Sequence, residues 1–227
     1  IASLGIDYIL SIPFDKKTMI TPSNEFITNV LIKKLNAKGV CCGFNYSFGA
    51  RGEGTSRTLI GKGKELGFHT YVQNPVEVEG EVVSSSLIRK NIESGNMIKA
   101  SNLLGHPYRV SGVVIEGNKL GRSFDMPTAN ISLEAERIVP PNGVYYTKTE
   151  IDGTIYNSIS NIGVKPTIGN YAKSIETNVF GFDKSIYGKR IKVEFFHWKR
   201  EEKKFEEIGD LIEQMRIDAH EAEIWWK

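Results

Sequence analysis

The chain has 227 residues, 29 basic against 27 acidic side chains for a formal net charge of +2, 40% apolar residues and 25% charged ones. That is enough for one large domain or two small ones with their own cores, and the balance excludes a disordered or fibrous chain. No uncharged apolar run approaches the ~18 residues of a spanning helix, no basic, apolar, small-residue order marks a signal peptide, and no Lys/Arg cluster is interleaved with aromatics, so neither membrane nor nucleic acid is expected and the expected compartment is the cytoplasm.

Ile1 to Gly5 reads as the last turn of a helix closed by glycine, leading into a strand over 7–12. Phe26, Val30, Leu31 and Leu35 recur at helical spacing after Thr21-Pro22, which predicts a helix over 23–35. A strand over 39–44, a helix over 56–66 and a strand over 69–73 complete a parallel β/α rhythm. Cys41 and Cys42, the two cysteines, are adjacent in an apolar run and read as buried hydrophobes rather than a disulfide or metal pair. Gly61-Lys62-Gly63-Lys64 falls inside a helix, where the lysines are a solvated face. Short helices are expected after Ser84-Ser85-Ser86 and over 97–104, before Gly105-His106-Pro107 breaks the chain. The expected domains are therefore 1–104 and 105–227.

From Tyr108 the period becomes two. Val110, Gly112 and Val114 alternate with their neighbours, as do Ile191, Val193 and Phe195, and Asp152-Gly153 between β-prone runs predicts a two-residue hairpin. A closed antiparallel sheet follows. Phe205, Ile208, Leu211, Met215, Ala219 and Ala222 predict an amphipathic C-terminal helix lying on it, with 224–227 frayed. The fold class expected is α/β plus β.

Chemistry gathers in the β half. Gly117-Asn-Lys119-Leu-Gly121-Arg122 joins glycines leaving a strand to two cations, a composition that holds polyphosphate, or else a plain hairpin turn, since neither Walker nor Gly-x-Gly-x-x-Gly spacing is present. Thr128 and Asn130, two apart after Pro127, present two neutral oxygens to one side, enough for a nucleotide-bound Mg2+, or else cap a turn. Glu176 on a strand with Asn178, facing a barrel mouth, suits a base that accepts a hydroxyl proton in phosphoryl transfer, or is a solvated strand carboxylate. Asn161 to Thr167 reads as a loop. His69, His106, His197 and His220 lack metal-ligand spacing.

Taken together, Gly117 to Arg122, Pro127-Thr128-Ala129-Asn130, Pro141-Asn142-Gly143-Val144-Tyr145, Asn161-Ile162-Gly163 to Pro166-Thr167, Glu176, Tyr187-Gly188 and Arg200 to Phe205 resemble the riboflavin kinase module of the bacterial bifunctional riboflavin kinase/FAD synthetase family. The resemblance implies a six-stranded Greek-key barrel with a C-terminal helix that converts riboflavin and ATP-Mg to FMN and ADP. It implies Thr128 and Asn130 on Mg2+ and phosphates, Glu176 as base for the ribityl 5′-hydroxyl, Gly117, Lys119, Gly121 and Arg122 at the ATP loop, and Arg200 near the flavin. Residues 1–104 are similar to the rear part of that family's FMN adenylyltransferase domain, a nucleotidyltransferase-type α/β fold. Gly43 and Asn45 fall in its flavin and nucleotide loop, and Ser85, Ser86 and Arg89 in a second nucleotide motif. The family's His-x-Gly-His signature occurs nowhere in the sequence and belongs upstream of Ile1, so poor FAD synthesis is expected of this chain. A full bifunctional enzyme and a flavin- or nucleotide-binding module without turnover are the alternatives; oligomeric state is left open.

Overall fold

The computed structural model describes residues 4–117, 126–132, 138–167 and 170–227. They fall into two compact units, Ile1–Glu77 and Val78–Lys227.

In the first unit, α1 (Lys16–Met19) and α2 (Ser23–Glu25) precede a more widely wound π-helix, Phe26–Lys34, closed by bonds such as Leu35 N–H to the Val30 carbonyl. β1 (Gly39–Gly43), the short pair β2 (Ser47–Phe48) and β3 (Gly54–Thr55), α3 (Ser56–Leu66) and β4 (His69–Gln73) follow. β1 and β4 pair in parallel, as the β/α rhythm predicts. The core is Ile27, Phe48, Leu59 and Phe68, with Val40 and Cys42 packed against it from one face of β1. Cys41 points the other way and is exposed, so the expectation of two buried cysteines is corrected by strand alternation. The strand expected over 7–12 is absent. Apolar composition proposes a strand, but a ladder partner is needed to make one, and Tyr8 stands 93% exposed.

The division between the units falls within β5 (Glu77–Val78), which pairs with β6 (Glu81–Val82), and the second unit goes on with α4 (Ser85–Glu93) and α5 (Met97–Leu104). Ser84 caps α4, accepting from the Leu87 amide, and Asn96 caps α5 from the Lys99 amide. Six strands then close a wholly antiparallel barrel: β7 (Tyr108–Ile115), β8 (Thr128–Ser132), β9 (Gly143–Ile151), β10 (Thr154–Thr167), β11 (Asn170–Val179) and β12 (Arg190–Arg200), in the order β10-β11-β8-β7-β12-β9. Asp152 and Gly153, both at positive φ, form the predicted two-residue turn between β9 and β10. Residues 161–167, expected as a loop, belong to β10: pairing with β11 overrides the turn preferences of Asn, Gly and Pro.

The barrel interior is packed by Val110, Ile131, Tyr145, Ile162, Ile175, Val193 and Phe195, and Ile92, Met97 and Ala100 of α4 and α5 join the same core. These helices, assigned from sequence to residues 1–104, thus pack with the barrel. Within the apolar core runs a chain of buried hydroxyls, Thr149–Ser158–Thr147–Ser160–Thr177, each 2.8–2.9 Å from the next. Every member has a partner, which is what makes a polar ladder tolerable there.

α6 (Ile208–Trp225) covers the outside of β9 and β10, where Val144, Tyr146, Ile159 and Ala222 form a second layer. The expected fraying after 224 does not occur. Trp225 packs on Tyr146 and stacks on His197, Trp226 meets Phe196 edge to face, and the Lys148 ammonium lies 4.7 Å from the Trp226 ring. Burying aromatic surface holds the terminus down. Among the described residues no helix is long and apolar enough to cross a membrane.

Candidate active site

Strand alternation decides where the candidate side chains point. On β11, Ile175, Thr177 and Val179 fill the barrel, so Glu176 and Asn178 face outward; on β8, Ala129 and Ile131 face in, so Thr128 and Asn130 face out. Glu176 therefore stands on the outer wall and not, as expected, at a barrel mouth.

Register then builds two rows across five strands. One runs Arg200–Val144–Asn161–Glu176–Asn130, the next His197–Tyr146–Ile159–Asn178–Thr128. Directly paired residues hold their Cβ atoms about 4.5–5.5 Å apart, so Asn161, Glu176 and Asn130 are immediate neighbours, with Asn178 and Thr128 two residues along. The Asn178 side-chain amide donates to the Pro127 carbonyl at 2.8 Å, fixing the start of β8. Gly117 lies so close to the Asn130 amide that a Cβ there would overlap it. In the second row, burial raises the Tyr146 phenol above its usual range, keeping it protonated.

α6 turns this wall into two cavities. Leu211, Met215 and Asp218, one helical stripe, close a cavity of about 280 Å3 floored by Ile159, Asn161, Glu176 and Asn178 and flanked by Arg200, Glu202 and Lys203. Arg216, Ala219, His220 and Glu223, on the adjoining stripe, border one of about 900 Å3 whose other walls are Pro127 to Ala129 and the segment from Thr177 to Tyr187. Met126, Thr128 and Asn178 line both. The two cavities meet at the start of β8, and Glu176 opens into the smaller one beside that junction.

The Pro141-Asn142-Gly143-Val144-Tyr145 motif sets the end of β12. The Tyr145 hydroxyl donates to the Pro141 carbonyl at 2.6 Å, the Asn142 amide donates to Glu202 at 2.9 Å, and Gly143, at φ +147°, leaves room for the Trp198 indole and the Arg200 carbonyl. Arg200 is thereby aimed at α6. Its Nε donates to both oxygens of Asp218 at 3.1 Å, and Nη2 donates to Oδ2 at 2.6 Å. Asp218 is only 3% exposed.

Of the residues singled out from sequence, the structure gathers Thr128, Asn130, Glu176 and Arg200 on one wall, with Gly117 against it; Lys119, Gly121 and Arg122 lie outside the described residues. Gly43 and Asn45 are exposed at the end of β1 in the first unit, and Ser85, Ser86 and Arg89 are exposed on α4 in the second. Asp218 escaped the sequence reading, although a carboxylate between Met215 and Ala222 on the apolar stripe of a helix was the available signal. Asn161 was hidden by its assignment to a loop.

Residues 104–226 match the riboflavin kinase family model and residues 1–87 the FAD synthetase model. The chain belongs to the bifunctional riboflavin kinase/FMN adenylyltransferase family. The Bacillus subtilis enzyme of that name is 37% identical over 98% of this chain and 71% of its own length, and the Haemophilus influenzae enzyme 34% identical over 97% and 72%. A solved Streptococcus pneumoniae structure, titled a macrolide-efflux protein, superposes with a TM-score of 0.82 at 31% identity, over 91% of this chain and 66% of that one. The chain thus spans just under two thirds of that solved protein, and a riboflavin kinase/FMN adenylyltransferase relationship covers both of its units.

Proposed function

We propose that the barrel unit is the riboflavin kinase of this family, with ATP in the larger cavity, riboflavin in the smaller, and phosphoryl transfer at the junction where Thr128 stands. The observation that carries this reading is the contiguity of the two cavities: a transfer between two bound substrates needs their reacting atoms in one place, and Glu176 adjoins that place from the acceptor side. The 5′-oxygen of riboflavin forms its bond to the γ-phosphorus as the bond from that phosphorus to the β,γ-bridging oxygen breaks. The hydroxyl proton passes to the Glu176 carboxylate, and ADP and FMN leave.

Thr128 and Asn130 are hard, neutral oxygen donors on one face of β8 next to a carboxylate, a set that suits Mg2+ completed by phosphate oxygens and water. Bound there with ATP, Mg2+ supplies charge neutralisation of the phosphates. Gly117 keeps the Asn130 amide in place, Asn178 holds Pro127 and Thr128, and α6 excludes water from the acceptor side. Arg200, Glu202 and Lys203 line the flavin side. Gly43, Asn45, Ser85, Ser86 and Arg89 are the candidate adenylyltransferase residues.

The test is to incubate the chain with riboflavin, Mg2+ and ATP and to separate the flavins, with FMN supplied in a parallel tube. FMN is expected from the first. Little FAD is expected from the second, because the sequence carries no His-x-Gly-His to stabilise the departing pyrophosphate. Absence of FMN would leave flavin or nucleotide binding without turnover.

A further inference from the structure

Gln214 lines neither cavity, yet it sits between two charged groups that line the smaller one. The Lys203 ammonium donates to Gln214 Oε1 at 3.1 Å, and Gln214 Nε2 donates to Asp218 Oδ1 at 3.1 Å. The chemistry fixes the amide's orientation, since an ammonium only donates and a carboxylate only accepts. Asp218, almost wholly buried, in turn holds the Nε and Nη2 of Arg200, whose Nη1 is taken by the Glu201 carbonyl at 2.8 Å. The result is a bonded arm, Lys203–Gln214–Asp218–Arg200, spanning from the segment after β12 across α6 to the end of β12. The amide at position 214 offers an acceptor to the ammonium and a donor to the carboxylate at once. Glutamate would face Asp218 with like charge, and alanine would leave one bond of a buried carboxylate unmade.

We infer that Gln214, oriented by Lys203, is a positioning residue for the flavin cavity: it sets the Asp218 carboxylate, and through it the Arg200 guanidinium, in the geometry that shapes the acceptor site. This rests on the reading of the smaller cavity as the riboflavin site. Asp218, Arg200 and Lys203 line that cavity and none lines the larger one, so the arm acts on one substrate alone.

The test compares the full chain with its Gln214→Ala and Gln214→Glu variants in steady-state riboflavin phosphorylation, each substrate varied in turn, with thermal melts as a check on folding. Gln214→Ala is expected to raise KM for riboflavin about fivefold, with kcat and KM for ATP within about twofold of the parent. Gln214→Glu is expected to raise it further, and Lys203→Arg, which keeps a donor, to do less harm than Lys203→Met. An unchanged riboflavin KM in both Gln214 variants, an equal rise in both KM values, or a smaller effect of Glu than of Ala would overturn the inference. Failure of the parent chain to phosphorylate riboflavin would instead sink the reading on which it rests, so the two failures are distinguishable.

Discussion

At the scale of single residues, the proposed site depends on a few close approaches. Gly117 owes its identity to the Asn130 amide and not to a positive φ, so Gly117→Ala pushes that amide out of line without straining its own backbone. We expect Gly117→Ala to weaken Mg-ATP binding about tenfold, with Asn130→Ala at least as severe; isothermal calorimetry showing the affinity of the parent in both would remove Asn130 from the nucleotide site. Thr128 and Asn130 stand out in the sequence as candidates because Pro127-Thr128-Ala129-Asn130 is a compact motif on one strand. Asp218 was not, because its meaning comes from Arg200, eighteen residues away in sequence, and a helical wheel shows only a charge in the wrong place.

Among the elements, those whose signal is local emerged from sequence with the bounds they have. α3 and β4 match the predicted ranges, and the Asp152-Gly153 turn carries its own chemistry. Elements decided by partners did not: residues 7–12 lack a ladder, while 161–167 gain one despite Asn, Gly and Pro. The same dependence on neighbours governs the hydroxyl chain inside the barrel. Thr147 Oγ1 bonds both Ser158 and Ser160, so Thr147→Val takes one partner from each of two buried hydroxyls, which keep Thr149 and Thr177, and is expected to cost about 1–3 kcal/mol in chemical denaturation with kcat unchanged. A stability within error of the parent would mean that the ladder repairs itself. α6 is held at its far end by Trp226 against Phe196 and Lys148. Trp226→Ala is expected to cost about 2 kcal/mol by the same measurement, and a neutral result would return the terminus to the frayed state that the sequence suggested.

On the scale of the whole barrel unit, one helix borders both cavities of the proposed site. α6 presents adjoining stripes to two cavities that share Met126, Thr128 and Asn178, and the barrel wall beneath them carries Asn161, Glu176 and Asn130 in one register row. The family relationship gives the substrates, and the proposed place for their reaction is this juxtaposition. The measurement that bears most directly on it pairs the kcat of Glu176→Gln in riboflavin phosphorylation with its calorimetric affinity for Mg-ATP. The isosteric amide keeps the shape of the wall and removes the proton acceptor, so kcat is expected to fall by about 10²-fold or more while ATP affinity stays within about twofold. A variant that turns over at the parent rate would contradict the assignment of Glu176 as base, and with it the placement of the reaction at the junction of the two cavities.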